Sequence, residues 1–165
     1  MDDQTITNLR TNAIAAFQAG ISAADPKKAL KIALRKTPIP LIKNNGSYII
    51  ISIGKAACKM AEYAIAVTNF ENIVPVVGCE VIGASHPIPC INGFNASKKI
   101  INYLTNATQN DIVVMLVSGG SSALIPAPVD GISLEDKVMV NKVLISSGFD
   151  IYETNLVRQS LSLLK

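Results

Sequence analysis

This chain is poor in aromatics, charge and cysteine. Of its 165 residues 5% are aromatic, none is tryptophan, and 16% are charged. A nucleic-acid surface needs a basic stripe with aromatic platforms. Here the net charge is +3, and the basic residues are scattered, as Lys27, Lys28 and Lys31, then Arg35 and Lys36, then Lys98 and Lys99. No nucleic-acid partner is expected. Three cysteines, Cys58, Cys79 and Cys90, form no CxxC spacing. That argues against a zinc site or a disulfide framework and fits thiols in a reducing compartment. No apolar run reaches the roughly 20 residues of a membrane span. The start, Met1, Asp2, Asp3, is acidic, unlike the basic opening of a secretory signal. A cytoplasmic location with no membrane partner is therefore expected.

What is present alternates between two periods. Gln4 to Ala23 places Ile6, Leu9, Ala13 and Phe17 at helical spacing. Asp25-Pro26 reads as a cap with proline at the first helical position, opening a helix to about Arg35. Asn44-Asn45-Gly46 is a turn. Tyr48 to Ile53 is a β-branched run, hence a strand, and Ala56 to Val67 has helical composition. Further strands are expected at Val74–Val77, Glu80–Ala84 and Ile112–Val117. Asn92-Gly93 reads as a turn before a helix from Asn95 to Ala107. Ser133 caps a helix to about Ser147, and Asp150 caps a last one running toward Lys165. Strands alternating with helices predict a Rossmann-like three-layer α/β domain with a largely parallel sheet.

The densest chemistry lies in DIVVMLVSGGSSALIPAP, Asp111 to Pro128. The continuous apolar run reads as a buried parallel strand. It feeds into Ser118, Gly119, Gly120, Ser121 and Ser122. Glycines there permit close approach and positive φ, while hydroxyls and free N–H groups suit a phosphate or carboxylate. Gly54 and Lys55 close the earlier strand in the same way, so the Lys55 ammonium is expected to face the cleft. Phosphoryl transfer needs positive charge at that place. Arg158, three positions after Asn155, offers a fork of donors for an anion. The P-loop GxxxxGK[ST], the GxSxG elbow and the GxGxxG fingerprint are all absent. No metal ligands are evident, since no carboxylates cluster.

Four segments in order carry a family resemblance: ISIGKAACKM (Ile51–Met60), ASHPIP (Ala84–Pro89), LVSGGSSALIPAP (Leu116–Pro128) and LISSGFDIYETNLVRQSLSLLK (Leu144–Lys165). Together they resemble the N-terminal part of the glycerate 2-kinase family, also labelled hydroxypyruvate reductase. Cys90 stands where that family usually has an acidic residue, and Ser160 where a histidine is common. The resemblance implies a partial N-terminal α/β domain over 1–165, with a C-terminal domain absent. It implies transfer of a phosphoryl group from ATP, with Mg²⁺, to the 2-hydroxyl of D-glycerate. It implies Lys55 as the catalytic cation and Gly54, Ser118–Ser122, Asn155 and Arg158 as substrate or phosphate ligands. His86 becomes a wall of the cleft. The expected partners are the small-molecule substrate and the absent domain or a second copy of the chain. Two other readings stay open: a hydroxypyruvate reductase and a non-catalytic module that binds small anions.

Overall fold

The computed structural model describes residues 2–165. They form two compact units, one up to Ile39 and one from Pro40 onward. The first is a pair of helices, α1 (Asp3–Ala23) and α2 (Pro26–Lys36). Each starts as its sequence dictates: Asp2 accepts the Thr5 N–H at 2.7 Å and Asp25 that of Lys28 at 2.9 Å. No helix among the described residues is long and apolar enough to cross a membrane.

The second unit is a three-layer α/β structure. Its sheet has four strands, β1 (Tyr48–Ile53), β2 (Ile65–Asn69), β3 (Glu80–Ala84) and β4 (Ile112–Val117). All pairings are parallel, in the order β3-β2-β1-β4. Alternate side chains of each strand serve opposite faces. Ile51, Ile53, Ile65 and Val67 pack with Ala96 and Ile100 of α4 (Ile91–Asn106) and with Leu124 of α5 (Ser121–Leu124). On the other face Ala64 and Ala66 pack with Ala57 and Ala61, at and just beyond α3 (Ala57–Met60). The chain then continues through α6 (Leu134–Ser146) and α7 (Ile151–Ser160). Capping boxes at Ser133 and Asp150 start these two helices, each donating and accepting across one turn.

Four readings of the sequence need correction. The helix expected over Ala56–Val67 is only the single turn α3, and Ile65–Asn69 is instead the fully paired strand β2. Helical propensity of the alanines is overridden by burial between β1 and β3, where Ala66 and Val67 have no exposed surface. The strand expected at Val74–Val77 is an exposed loop; Pro75 within it has no N–H for a ladder. Asn92-Gly93 lies inside α4 rather than in a turn. Gly93 is there for proximity, because a Cβ would stand 2.5 Å from the Leu124 carbonyl oxygen. Finally, β4 is not buried on both faces. It is the sheet edge among the described residues, and Val113, Met115 and Val117 are 40%, 42% and 63% exposed.

Candidate active site

The strand order creates the site. From β1 the chain winds one way through β2 and β3. Helix α4 then returns it to the other side of β1 as β4. At such a reversal the connections leave adjacent strand ends in opposite directions and open a crevice at the carboxyl ends. Ile53 of β1 pairs with Val117 of β4, so the two glycine turns emerge side by side.

The turn after β1 is tightly held. Gly54 adopts φ +119°, and its N–H donates to the Val67 carbonyl at 3.0 Å. The Lys55 N–H donates to Gly119 O at 2.9 Å, and the Ala56 N–H to Ser118 Oγ at 3.1 Å. Asn72 Nδ2 donates to the Lys55 carbonyl at 3.0 Å. This backbone anchoring leaves the Lys55 side chain exposed.

The turn after β4 is built differently. Its hydroxyls act as braces: Ser118 Oγ donates to Ile53 O at 3.2 Å, and Ser121 Oγ to Ser118 O at 2.7 Å. The backbone N–H groups of Gly119, Gly120, Ser121 and Ser122 meet no protein acceptor among the described residues. These four donors are consecutive along the chain about Gly120, at φ +93°; backbone N–H groups in such runs can receive an anion. A Cβ on Gly120 would lie 3.0 Å from His86 Cδ2 and 3.5 Å from Lys55 Cε. The imidazole and the lysine stem therefore converge on this glycine from two other segments.

His86 precedes Pro87 across a cis peptide bond, in a loop closed by Cys90 Sγ, which accepts the Ser85 N–H at 3.1 Å. Burial lowers the pKa of His86, and the positive charges of Lys55 and Arg158 lower it further, against a smaller opposing pull from Glu71. The ring is therefore largely neutral at pH 7.

Arg158, on α7, reaches the same region. Its guanidinium Nη2 donates to Asn141 Oδ1, and Asn141 Nδ2 donates to the Pro87 carbonyl at 2.9 Å. Asn155, three positions earlier on the same helix, makes no hydrogen bond with the two glycine turns among the described residues. That side chain is exposed and accepts from Lys165 Nζ at 2.8 Å. The structure thus gathers Gly54, Lys55, His86, Ser118 to Ser122 and Arg158, and leaves Asn155 outside.

Two residues of α6 belong to the site's support and were not singled out in the sequence. Lys137 is buried; its ammonium donates to the Pro126 carbonyl, to Leu161 O at 3.1 Å and to Ser162 Oγ. Burial, and next the charge of Lys165, bring its pKa down to about 8. Asn141 follows one turn later. Their spacing of four, shared with the inward Leu144 three further on, was the only clue. A larger hollow, about 280 Å³, lies at the opposite ends of the strands beside Tyr48, Tyr63 and Tyr103. It is lined by the Gly78 turn and by Glu80, and no Lys, Arg or His lines it.

The comparisons with known proteins agree with this architecture. Residues 12–165 match the family model described as Domain of unknown function (DUF4147). The chain is 37% identical to a glycerate 2-kinase of Pyrococcus horikoshii, covering 88% of this chain and 36% of that protein. It is 31% identical to the D-glycerate 2-kinase of Thermotoga maritima, covering 96% of this chain and 39% of that protein. The crystal structure of a Thermotoga maritima glycerate kinase superposes with a TM-score of 0.80 at 30% identity, over 96% of this chain and 40% of that one. The chain thus spans somewhat over a third of the length of these relatives. With nearly its whole length matched, the chain belongs to the DUF4147 family, alongside its glycerate 2-kinase relatives.

Proposed function

We propose that this chain forms part of the N-terminal α/β domain of a glycerate 2-kinase and contributes one wall of its phosphoryl-transfer cleft. The reaction moves the γ-phosphoryl group of ATP to the 2-hydroxyl of D-glycerate. The observation that carries the reading is the juxtaposition of Lys55 with four unpartnered N–H groups at the sheet's reversal point. In phosphoryl transfer the protein's task is to position the groups and stabilise charge on the moving oxygens. The Gly119–Ser122 nest fits phosphate oxygens, and the Lys55 ammonium supplies a mobile positive charge beside it. On this reading neutral His86, beside the same glycine, takes the proton that the 2-hydroxyl of D-glycerate releases.

Mg²⁺ accompanies ATP in such chemistry. No three His, Cys, Asp or Glu side chains gather to hold a cation among the described residues. The described residues of this chain thus offer no all-protein cage for a cation. The exposed apolar side chains of β4, with Met139 and Val143 of α6 and Tyr152 and Leu156 of α7, support a covering partner. On this reading that partner is a second domain or another copy of the chain, in the cytoplasm.

The test is the melting temperature of the purified chain with D-glycerate, inorganic phosphate, Mg-ATP or NADH. A ligand at a hundred times its Kd stabilises the folded state by about 2.7 kcal/mol. We expect shifts with phosphate and glycerate that Lys55→Ala removes, no shift with NADH, and slow or no turnover by this chain alone. A shift with NADH only would favour the reductase. Binding of anions without nucleotide, in a chain joined to the rest of the enzyme, would favour the non-catalytic module.

A further inference from the structure

The hollow at the amino ends of the strands contains a gap in the sheet itself. Successive residues of a strand send their N–H and C=O groups to alternate sides. In β1 the Ser47 and Ile53 carbonyls accept from Ile112 and Ser118, on the β4 side. The Gly54 N–H donates to Val67, on the β2 side. The even-numbered residues of β1 therefore face β2. Yet β2 begins at Ile65, opposite Ile51. The Tyr48 carbonyl and the Ile50 N–H point past that start, and neither meets a protein partner among the described residues. The same register, carried two residues back, would set Tyr63 opposite Ile49. Tyr63 instead takes φ +53° and turns the chain away, its ring so close to Gly78 that a Cβ there would stand 2.4 Å from it. The space left open measures about 280 Å³ and is lined also by Tyr103 and by Glu80, whose carboxylate is engaged by Lys99.

We propose that this gap binds an aminopurine base, edge-on to β1. One acceptor and one donor flank Ile49 and point the same way. A 6-aminopurine matches them, its amino group donating to the Tyr48 carbonyl and its neighbouring ring nitrogen accepting the Ile50 N–H. An extended peptide fits less well. Strand addition draws on a row of backbone groups, whereas β1 offers this one pair before the strand ends at Tyr48. Aromatic rings stand on both sides of the strand plane. Tyr103 belongs to α4, which packs on the face of Ile51 and Ile53. Tyr48 is in phase with Ile50, which packs on the opposite face. The Tyr48 hydroxyl donates to the Pro40 carbonyl at 2.8 Å, which fixes that ring. A flat base in the plane of the strands then lies between aromatic side chains, and such stacking supplies much of the affinity for a base. This gap is one strand length, roughly 17–20 Å, from Lys55 at the other end of β1. It is a second site, separate from the phosphoryl-transfer cleft.

Isothermal titration calorimetry of the full chain with adenosine and with N6,N6-dimethyladenosine tests this. The dimethyl compound keeps the ring and lacks the donor. Adenosine should bind one to one, and the dimethyl compound weaker by roughly threefold to tenfold, the loss of one hydrogen bond. Tyr103→Ala should weaken adenosine by roughly fivefold to a hundredfold, the loss of one stacking face, while Tyr103→Phe should retain the parent affinity. Tyr63→Asn is the second variant. Tyr63 is 74% exposed, and asparagine tolerates its positive φ, so the chain should stay folded as binding weakens. A thermal melt of each variant checks folding. Equal binding of the two nucleosides would overturn the edge-on hydrogen bonds. Unchanged adenosine affinity in folded Tyr103→Ala and Tyr63→Asn would place the base elsewhere, the phosphoryl-transfer cleft included, and overturn this site while sparing the kinase reading. Absence of adenosine binding would overturn it outright, and phosphate titrated into the same chain reports separately on the cleft.

Discussion

Two turns leave neighbouring parallel strands of one sheet, and they are opposites. The turn after β1 has its backbone groups engaged, by Val67, Gly119, Ser118 and Asn72. It offers the solvent only a side chain, Lys55. The turn after β4 engages its hydroxyls instead and leaves four N–H groups free. On the proposed reading one turn is a rigid mount for a charge and the other a receptor made of backbone. The rigidity of the first supports the openness of the second, since Ser118 and Gly119 accept the N–H groups of Ala56 and Lys55. A site of this kind holds its donors in place before any ligand arrives, which is the condition for electrostatic stabilisation of a transferred group.

Substitutions at the two turns separate mount from receptor. The largest effect is expected at Gly54. A Cβ there would lie 2.6 Å from the Ser118 carbonyl oxygen, at φ +119°. Gly54→Ala should destabilise the unit by about 2–4 kcal/mol, from left-handed strain added to overpacking. Urea denaturation with an unchanged slope would measure it, and wild-type stability would mean that the first turn is not a rigid mount.

Lys137→Met comes next. It leaves the Pro126 carbonyl without its Lys137 donor and the Leu161 carbonyl with the Val129 N–H alone, a loss of about 1–3 kcal/mol. The same denaturation series reads it, and a neutral result would show that the far side of the second turn needs no clamp.

The smallest change in stability belongs to Gly119. No atom lies within 4 Å of a Cβ built there. Gly119→Ala should stay within about 0.5 kcal/mol of the parent, yet weaken phosphate binding in calorimetry, because the methyl projects into the space an anion would use. A large loss of stability would erase the contrast between the two turns.

Much of this was legible in the chain itself. Asp25, Ser133 and Asp150 announce three helix starts through local hydrogen bonds, which need no tertiary partner. The β-branched runs of β1 and β4 ending in Gly54 and in Gly119-Gly120 pointed to the cleft, since glycine at a strand end is a local backbone requirement. The alanine-rich Ala56–Val67 misled, because its preference for helix is weaker than the burial that makes β2 a strand. Asn44-Asn45-Gly46 was legible as a turn, and Asn44 and Asn45 take positive φ there.

The sequence by itself determined where strands end, which turns need glycine and which helices are capped, because those depend on bonds between near neighbours. Only the tertiary structure decided that β4 lies at the edge and β1 in the middle. Both are apolar runs, and their order in the sheet follows from the path of α4. The fold alone also brought His86 to Gly120, tied Arg158 through Asn141 to Pro87, and buried Lys137 among three oxygens. Those contacts join segments 17 to 54 residues apart in the case of Asn141, a separation at which no local propensity carries information.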